Sequence, residues 1–488
     1  MCGTLIFVKQ LSPPQDLWHN QGCWATGSPA GTLLALNSDK SPESLPMPAK
    51  VTLTIIQGTL KGQKVEFDSR TTCILGRNYD CKPQLPNDEA HSIVSRYHCL
   101  LDINPPQIRI RDLGSKNGTF VNSNNIGQRP SEATPEDARN MQFPERDLED
   151  GDEIRLGNTI FRVIIETAGS PDIGSDTTNV VAIPPPAASL KPLPRTSHLP
   201  AIEGYTTLKE LGRGGRGAVY LARNNQTGEE VALKLMLPQI ATNPRDVDWF
   251  LREVENTKAL THPHVVGLKE SGEWDNIFYF TLEYCAGGNV IDLMRQRGGK
   301  LPVSEAVPLI LQVLDGLAYA HTADIPYVKL KDGSFGWGQG LVHRDMKPEN
   351  IFLSTAGNSI TAKIGDYGLA KAFDLAGFSN LTMSGTKAGT PGFMPRQQVL
   401  NFKYVTPEVD IWATAATLYY MLTGSYPRDF VGKDPFLVVL EDKPVPVRVR
   451  DASIPPKLAE LIDLALTDNP EIYFKKAVAF KQALSSVL

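Results

Sequence analysis

Over 341–350 the chain reads Leu-Val-His-Arg-Asp-Met-Lys-Pro-Glu-Asn, which brings Asp345, Lys347 and Asn350 within six positions. That grouping suits phosphoryl transfer. The carboxylate takes up or orients the proton of an attacking hydroxyl, the ammonium steadies the moving phosphoryl group, and the amide oxygen holds a metal ion. Upstream, Gly212, Gly214 and Gly217 form Gly-x-Gly-x-x-Gly-x-Val, ending at Val219, between strand-like runs at 205–211 and 218–222. Glycine clusters usually just make turns. Between two strands they suit a hairpin whose bare backbone closes over phosphates. Lys234 ends the apolar strand pattern Val-Ala-Leu-Lys and needs an anion there. ATP phosphates and a glutamate from the helix pattern at 250–254, Glu253, would supply one. A single helix glutamate is more often solvated, but its place between Lys234 and the His262-Pro263 turn favours the ion pair.

The run at 341–350 closely resembles the catalytic loop of protein kinases, and a lysine two places after Asp345 is the serine/threonine version of that pattern. The partners follow in family order. Gly-Asp-Tyr-Gly over 365–368 resembles the metal-binding Asp-Phe-Gly motif, with Tyr367 for the phenylalanine and a hydroxyl that must reach a partner or water. Gly-Thr-Pro-Gly-Phe over 389–393 resembles the segment that seats the substrate residue. Asp-Ile-Trp over 410–412 resembles the start of the helix that anchors the catalytic loop. Joint occurrence carries far more than any one motif. The resemblance covers about 202–488 and implies a two-lobed α+β kinase with ATP between the lobes. It implies adenine contacts through the backbone at Glu283 and Cys285, and Mg2+, or Mn2+ in its place, on Asn350 and Asp366. Thr390 would contact Asp345 and help admit Ser or Thr. Arg344 would pair with a phosphate on the activation segment, where Thr382, Ser384 and Thr386 are the candidates.

Two departures stand out. Pro395-Arg396-Gln397 replaces the family's Ala-Pro-Glu, and Tyr473 stands where the family has the arginine that pairs with that glutamate. Losing one partner would strand a buried charge, at about 3–5 kcal/mol; losing both can be nearly neutral. A neutral substituted contact, with the substrate platform kept, is the expectation. Residues 322–340 intervene before the catalytic loop and read as a small hairpin around Asp332-Gly333, a surface excursion or a docking element.

Before this region, residues 51–166 carry short strand patterns without helical periodicity, which suggest a β-sandwich. Gly76-Arg77, Ser95-Arg96-Tyr97-His98 and Asn117-Gly118-Thr119 occur in the order of the forkhead-associated (FHA) domain, which this stretch resembles. That family binds phosphothreonine. A phosphate dianion wants a guanidinium fork, a hydroxyl and backbone donors. The resemblance assigns phosphate to Arg77 and Ser95, a second positive charge to Arg96, the ligand backbone to Asn117, and bracing of the loop to His98. A plain hairpin turn is the commoner fate of Asn-Gly. Residues 123–145 read as a polar surface insertion. The fold expected is an all-β FHA sandwich at 50–166 followed by the kinase at 204–488, with 1–49 unassigned and a Pro-rich linker at 167–203. Thr177 and Thr178 in that linker precede Val180 and Val181, and a phosphothreonine followed by an aliphatic residue resembles a ligand of the neighbouring domain type.

With 488 residues, a net charge of −5 and 41% hydrophobic residues, the chain does not look like a nucleic-acid or polybasic membrane protein. No apolar run is expected to reach a membrane span, and the N-terminus lacks the pattern of a signal peptide. Six cysteines without Cys-x-x-Cys spacing fit a reducing, cytoplasmic setting. Protein substrates and phosphothreonine peptides are the expected partners. The rival reading is a silent kinase fold serving as scaffold for the reader domain. Intact Lys234, Glu253, Asp345, Asn350 and Asp366 argue against it.

Overall fold

Val51, Leu53 and Ile55 are buried on strand β1 (Lys50–Gln57), and Thr159, Phe161 and Val163 alternate inward on β10 (Thr159–Glu166). Strands of this kind close two sheets over one core. The others are β2 (Lys64–Phe67), β3 (Thr71–Leu75), β4 (Cys99–Asn104), β5 (Gln107–Asp112), β6 (Thr119–Val121), β7 (Asn124–Gly127), β8 (Glu145–Leu148) and β9 (Glu153–Leu156). One sheet runs β2-β1-β10-β9-β6-β7 and the other β3-β4-β5-β8. This computed structural model describes residues 49–487 except 69–70, 139, 142, 167–201, 215–216, 237–251, 253, 275–276, 330–334, 358, 368–390 and 401–404.

The stretch 123–145 is not simply an insertion. Its start, β7, pairs with β6, its end leads into β8 on β5, and a short helix α1 (Pro135–Ala138) lies between. Both strands are sheet edges, so their polar residues face water and show no apolar alternation.

The second module begins with an antiparallel sheet in the order β11-β12-β13-β15-β14. Its strands are β11 (Tyr205–Gly214), β12 (Gly217–Asn224), β13 (Glu230–Met236), β14 (Leu268–Trp274) and β15 (Ile277–Glu283). A helical lobe follows, with α2 (Val290–Gln296), α3 (Val303–Ala320), α4 (Arg396–Leu400), α5 (Glu408–Thr423), α6 (Pro435–Glu441), α7 (Val447–Arg450), α8 (Pro456–Ala465) and α9 (Ala477–Ser486). Two hairpins interrupt it, β16 (Asp324–Lys329) with β17 (Phe335–Gln339), and β18 (Ile351–Ala356) with β19 (Ser359–Ile364). The first hairpin occupies the stretch before the catalytic loop; its turn lies outside the described residues.

Helix α3 buries Val307, Ile310, Leu314 and Leu317, spaced to one face against the nearly all-buried α5. At 18 residues and mean hydropathy 1.3 it is long and apolar enough to cross a membrane, which corrects the expectation from sequence. Its composition is explained by the core it fills. Helix α5 stops at Gly424, whose φ of 70° lets its amide reach the Tyr420 carbonyl.

The described residues belong to one compact unit. A shared apolar cluster joins the modules, with Ile74, Tyr97, Leu100 and Leu113 of the sandwich against Val399, Leu437 and Leu440 of α4 and α6.

Candidate functional site

The catalytic loop hangs from one buried carboxylate. Asp410, in the first turn of α5, accepts the amides of His343 (2.8 Å) and Arg344 (2.7 Å) and the Nε2 of His321 (2.8 Å). Burial pushes its carboxyl up, but the hydrogen bonds and charge of His321 and the contacts from His343 outweigh that, and its pKa is lowered. Arg344 is held at φ 68°, a left-handed conformation that costs a non-glycine residue about 1–3 kcal/mol. Its carbonyl accepts from Gln398 Nε2 of α4 at 2.7 Å.

Beyond this anchor the reactive groups converge. Lys347 Nζ lies 2.7 Å from Asp345 Oδ2, and Asn350 Nδ2 donates to the Asp345 carbonyl at 2.7 Å and to its Oδ2 at 3.1 Å. The His343 ring bridges from the loop to the Gly365 carbonyl at 2.8 Å, next to Asp366. Lys234, on β13, pairs with Asp366 Oδ1 at 2.9 Å. The charge of Lys234 first, with His343 and Lys347, holds the Asp366 carboxyl below its usual range despite burial. Asp366 has φ 58°. Thus Lys234, Asp345, Lys347, Asn350 and Asp366, drawn from three separate stretches of chain, come close together.

The expected partner of Lys234, Glu253, lies outside the described residues; the partner present is Asp366. Val219 faces Lys234 across β12–β13, so both share one face of the sheet. Gly214 pairs with Gly217 at the mouth of the glycine hairpin, and a Cβ at Gly212 would meet open space. Packing within the chain therefore does not require that glycine, whereas a ligand lying against the backbone would. At the end of β15, where the resemblance places the adenine contacts, the Glu283 amide donates to the Gly267 carbonyl at 2.9 Å and its carboxylate pairs with Lys363 at 3.0 Å. Burial pushes the adjacent Cys285 thiol up to about 12, so it stays protonated. Thr390, Thr382, Ser384, Thr386, Thr177 and Thr178 lie outside the described residues.

Two expectations are corrected here. Gln397 does not meet Tyr473. Its Nε2 donates to the Asp468 carbonyl at 2.7 Å, while Tyr473 is 52% exposed and sits edge-on to Phe474. The platform is charged after all, because Asp468 accepts Arg428 Nη2 at 2.6 Å and the Arg396 amide at 3.0 Å. Tyr367 is buried edge-on against His343, and its hydroxyl has no hydrogen-bond partner among the described residues.

The second site lies at the loop end of the sandwich. Arg77 Nε donates to the Val94 carbonyl at 2.8 Å, and its Nη1 to Asn87. Ser95 Oγ accepts the Lys116 amide at 3.1 Å. The Ser95 amide donates to His98 Nδ1 at 3.0 Å and His98 Nε2 donates to the Gly118 carbonyl at 3.0 Å, a pattern that needs the neutral ring. Burial, which lowers the pKa of His98, keeps it neutral. Asn117 Nδ2 is spent on the Ile93 carbonyl at 2.6 Å. Lys116 and Arg129 line the same pocket, so four cations with Arg77 and Arg96 surround it. Neither was singled out in the sequence; Arg129 hid in the stretch read as an insertion. Arg96 does not reach into the pocket unpaired. Its Nη2 lies 3.3 Å from Glu441 Oε1 of α6, in the other module.

Comparison with known proteins gives a consistent picture. A family model described as protein kinase domain matches residues 205–471, and one described as FHA domain matches 73–157. The serine/threonine-protein kinase PknD of Mycobacterium tuberculosis (strain ATCC 25618 / H37Rv) is 32% identical over 275 residues, which are 56% of this chain and 38% of PknD. The chain spans well under half the length of the curated relatives it matches. Among solved structures, the kinase domain of M. tuberculosis PknI is similar at 22% identity and a TM-score of 0.44, over 59% of this chain and 98% of that one.

Proposed function

Because the chain belongs to the protein kinase family and carries an FHA domain ahead of the kinase, we propose that it transfers the γ-phosphoryl group of ATP to Ser or Thr hydroxyls of proteins and binds phosphothreonine peptides through its sandwich. The observation that carries the reading is the meeting of Asp345, Lys347, Asn350, Asp366 and Lys234 around one point, on a loop fixed by Asp410.

Asp345 orients the incoming hydroxyl and accepts its proton. Lys347, already on the Asp345 carboxylate, stabilises charge on the transferred group. Lys234 contacts the nucleotide phosphates, and the Gly212–Gly217 hairpin covers them. Asn350 and Asp366 offer hard oxygen donors, which fit Mg2+ better than a softer metal. When bound, that ion draws charge from the phosphate oxygens. Lys234 would meet the nucleotide phosphates and Asp366 would help hold the ion, and their 2.9 Å ion pair keeps the two side chains side by side. Arg77 and Ser95 give the sandwich a guanidinium and a hydroxyl for phosphate, with the cations Arg96, Lys116 and Arg129 lining the same pocket. Free, buried Cys73, Cys81, Cys99 and Cys285 support a reducing setting for these domains.

The test is transfer of labelled phosphate from ATP-Mg by the purified chain. Asp345→Asn should lower kcat by about 10²–10⁴ while nucleotide affinity stays near wild type. Wild-type turnover in that variant would remove Asp345 from the mechanism.

A further inference from the structure

The phosphate pocket of the sandwich has a wall from the other module. Leu437 and Glu441 of α6 line it together with Arg77, Ser95, Arg96 and Lys116. We propose that this is a composite site, in which the kinase helix α6 selects the residue flanking the phosphothreonine and favours peptides with a basic side chain there. The inference rests on the sandwich binding phosphothreonine.

The helix is fixed firmly enough to serve as a wall. Asp434, the N-cap of α6, accepts the Phe436 and Leu437 amides through Oδ1 and pairs through Oδ2 with Arg111 of β5, both side chains being almost fully buried. Arg396 of α4 pairs with Asp80 and reaches the Tyr97 hydroxyl, again under cover. Thr72 Oγ1 adds a bond to the Val399 carbonyl at 3.1 Å, and the shared apolar cluster fills the rest. Two buried ion pairs and an apolar core do not come apart readily, so a peptide at Arg77 and Ser95 meets α6 in place.

The charges then dictate what the wall reads. Among the described residues lining the pocket Glu441 is the one acid beside four cations, and Arg96 is one of its partners at 3.3 Å. A peptide carrying Lys or Arg beside its phosphothreonine can take over Glu441. That releases the largely exposed Arg96 guanidinium to the phosphate, so both charges stay paired. A peptide with Glu at that position meets Glu441 as a like charge and leaves Arg96 where it was.

The experiment measures binding of phosphothreonine peptides to the full chain by fluorescence anisotropy without ATP, the peptides differing only in Lys, Ala or Glu flanking the phosphothreonine. Wild type should bind the Lys peptide about tenfold more tightly than the Glu peptide. Glu441→Gln should flatten that ranking and Glu441→Lys should invert it, with circular dichroism confirming the fold of each. A ranking unchanged in both variants would overturn the composite site. So would uniform tightening for every peptide, which would mean that Glu441 merely competes with phosphate for Arg96. Arg77→Ala is a separate arm. Loss of all binding there supports the phosphate site itself, and retained binding overturns that reading regardless of Glu441.

Discussion

At the residue scale, Asp410 and Tyr367 bracket the costs that the catalytic loop sets against each other. Asp410 is a buried charge fully used, with two amides and an imidazole on its oxygens. Asp410→Asn keeps the shape but turns one acceptor into a donor facing N–H groups. It should destabilise the fold by about 3 kcal/mol or more in chemical denaturation and lower turnover with it. The folded pKa of Asp410 lies below its ordinary value, so its stabilising effect is whole above about pH 5 and is lost as pH falls through the lowered pKa. Stability measured from pH 6 downwards should accordingly fall less steeply in the variant. Tyr367 is the opposite case, a buried hydroxyl with no hydrogen-bond partner among the described residues. Tyr367→Phe should raise stability by about 1 kcal/mol, visible as a higher Tm, because it removes a desolvated hydroxyl and strands no polar group of the described residues. The meeting of Asp345, Lys347 and Asn350 was legible in the sequence because the three are near neighbours in the chain. The Asp410–His321 bond was not, since nothing local marks two residues 89 positions apart as partners.

At the scale of elements, the hairpin β16–β17 is more than an excursion. Asn256, in the helical residues 254–258, accepts the Tyr327 amide at 3.0 Å and donates to its carbonyl at 3.1 Å, acting as one rung of a strand. Arg252 lies over the Tyr327 ring at 6.0 Å. The hairpin thereby clips the helix that follows Lys234 in the chain. Asn256→Ala strands both Tyr327 backbone groups and should cost about 1–3 kcal/mol. Hydrogen exchange at the Tyr327 amide should speed up first, ahead of the β18–β19 amides. Alternation around Asp332-Gly333 was enough to read the hairpin, but its clip is a contact 71 residues away. The strands β7 and β8 escaped the sequence reading for another reason, since edge strands carry little apolar alternation to detect.

For the whole molecule, the sandwich and the kinase share buried charge, and this could not be read from either half. Tyr97, Arg111, Arg396 and Asp434 are unremarkable singly; only the docked fold pairs them. Arg111→Met would leave Asp434 buried without its cation, at a cost of about 3–5 kcal/mol. Differential scanning calorimetry should then resolve two transitions where wild type unfolds in one. A single unshifted transition would mean that the interface contributes nothing to stability. Arg396 extends the same coupling toward the active site. It stands between the sandwich residues Asp80 and Tyr97 and the acid Asp468 of the substrate platform, two residues before the Gln398 that holds the Arg344 carbonyl. An arginine that meets Asp80 and Tyr97 through its guanidinium and Asp468 through its backbone amide ties the ancestry of the two halves together. A recombination event that gave this kinase a different reader, or none, would expose Arg396 and the apolar faces of α4 and α6 to water. Lineages carrying this arginine should therefore be found to inherit both domains as one unit, and a swapped reader should persist only where position 396 has changed with it.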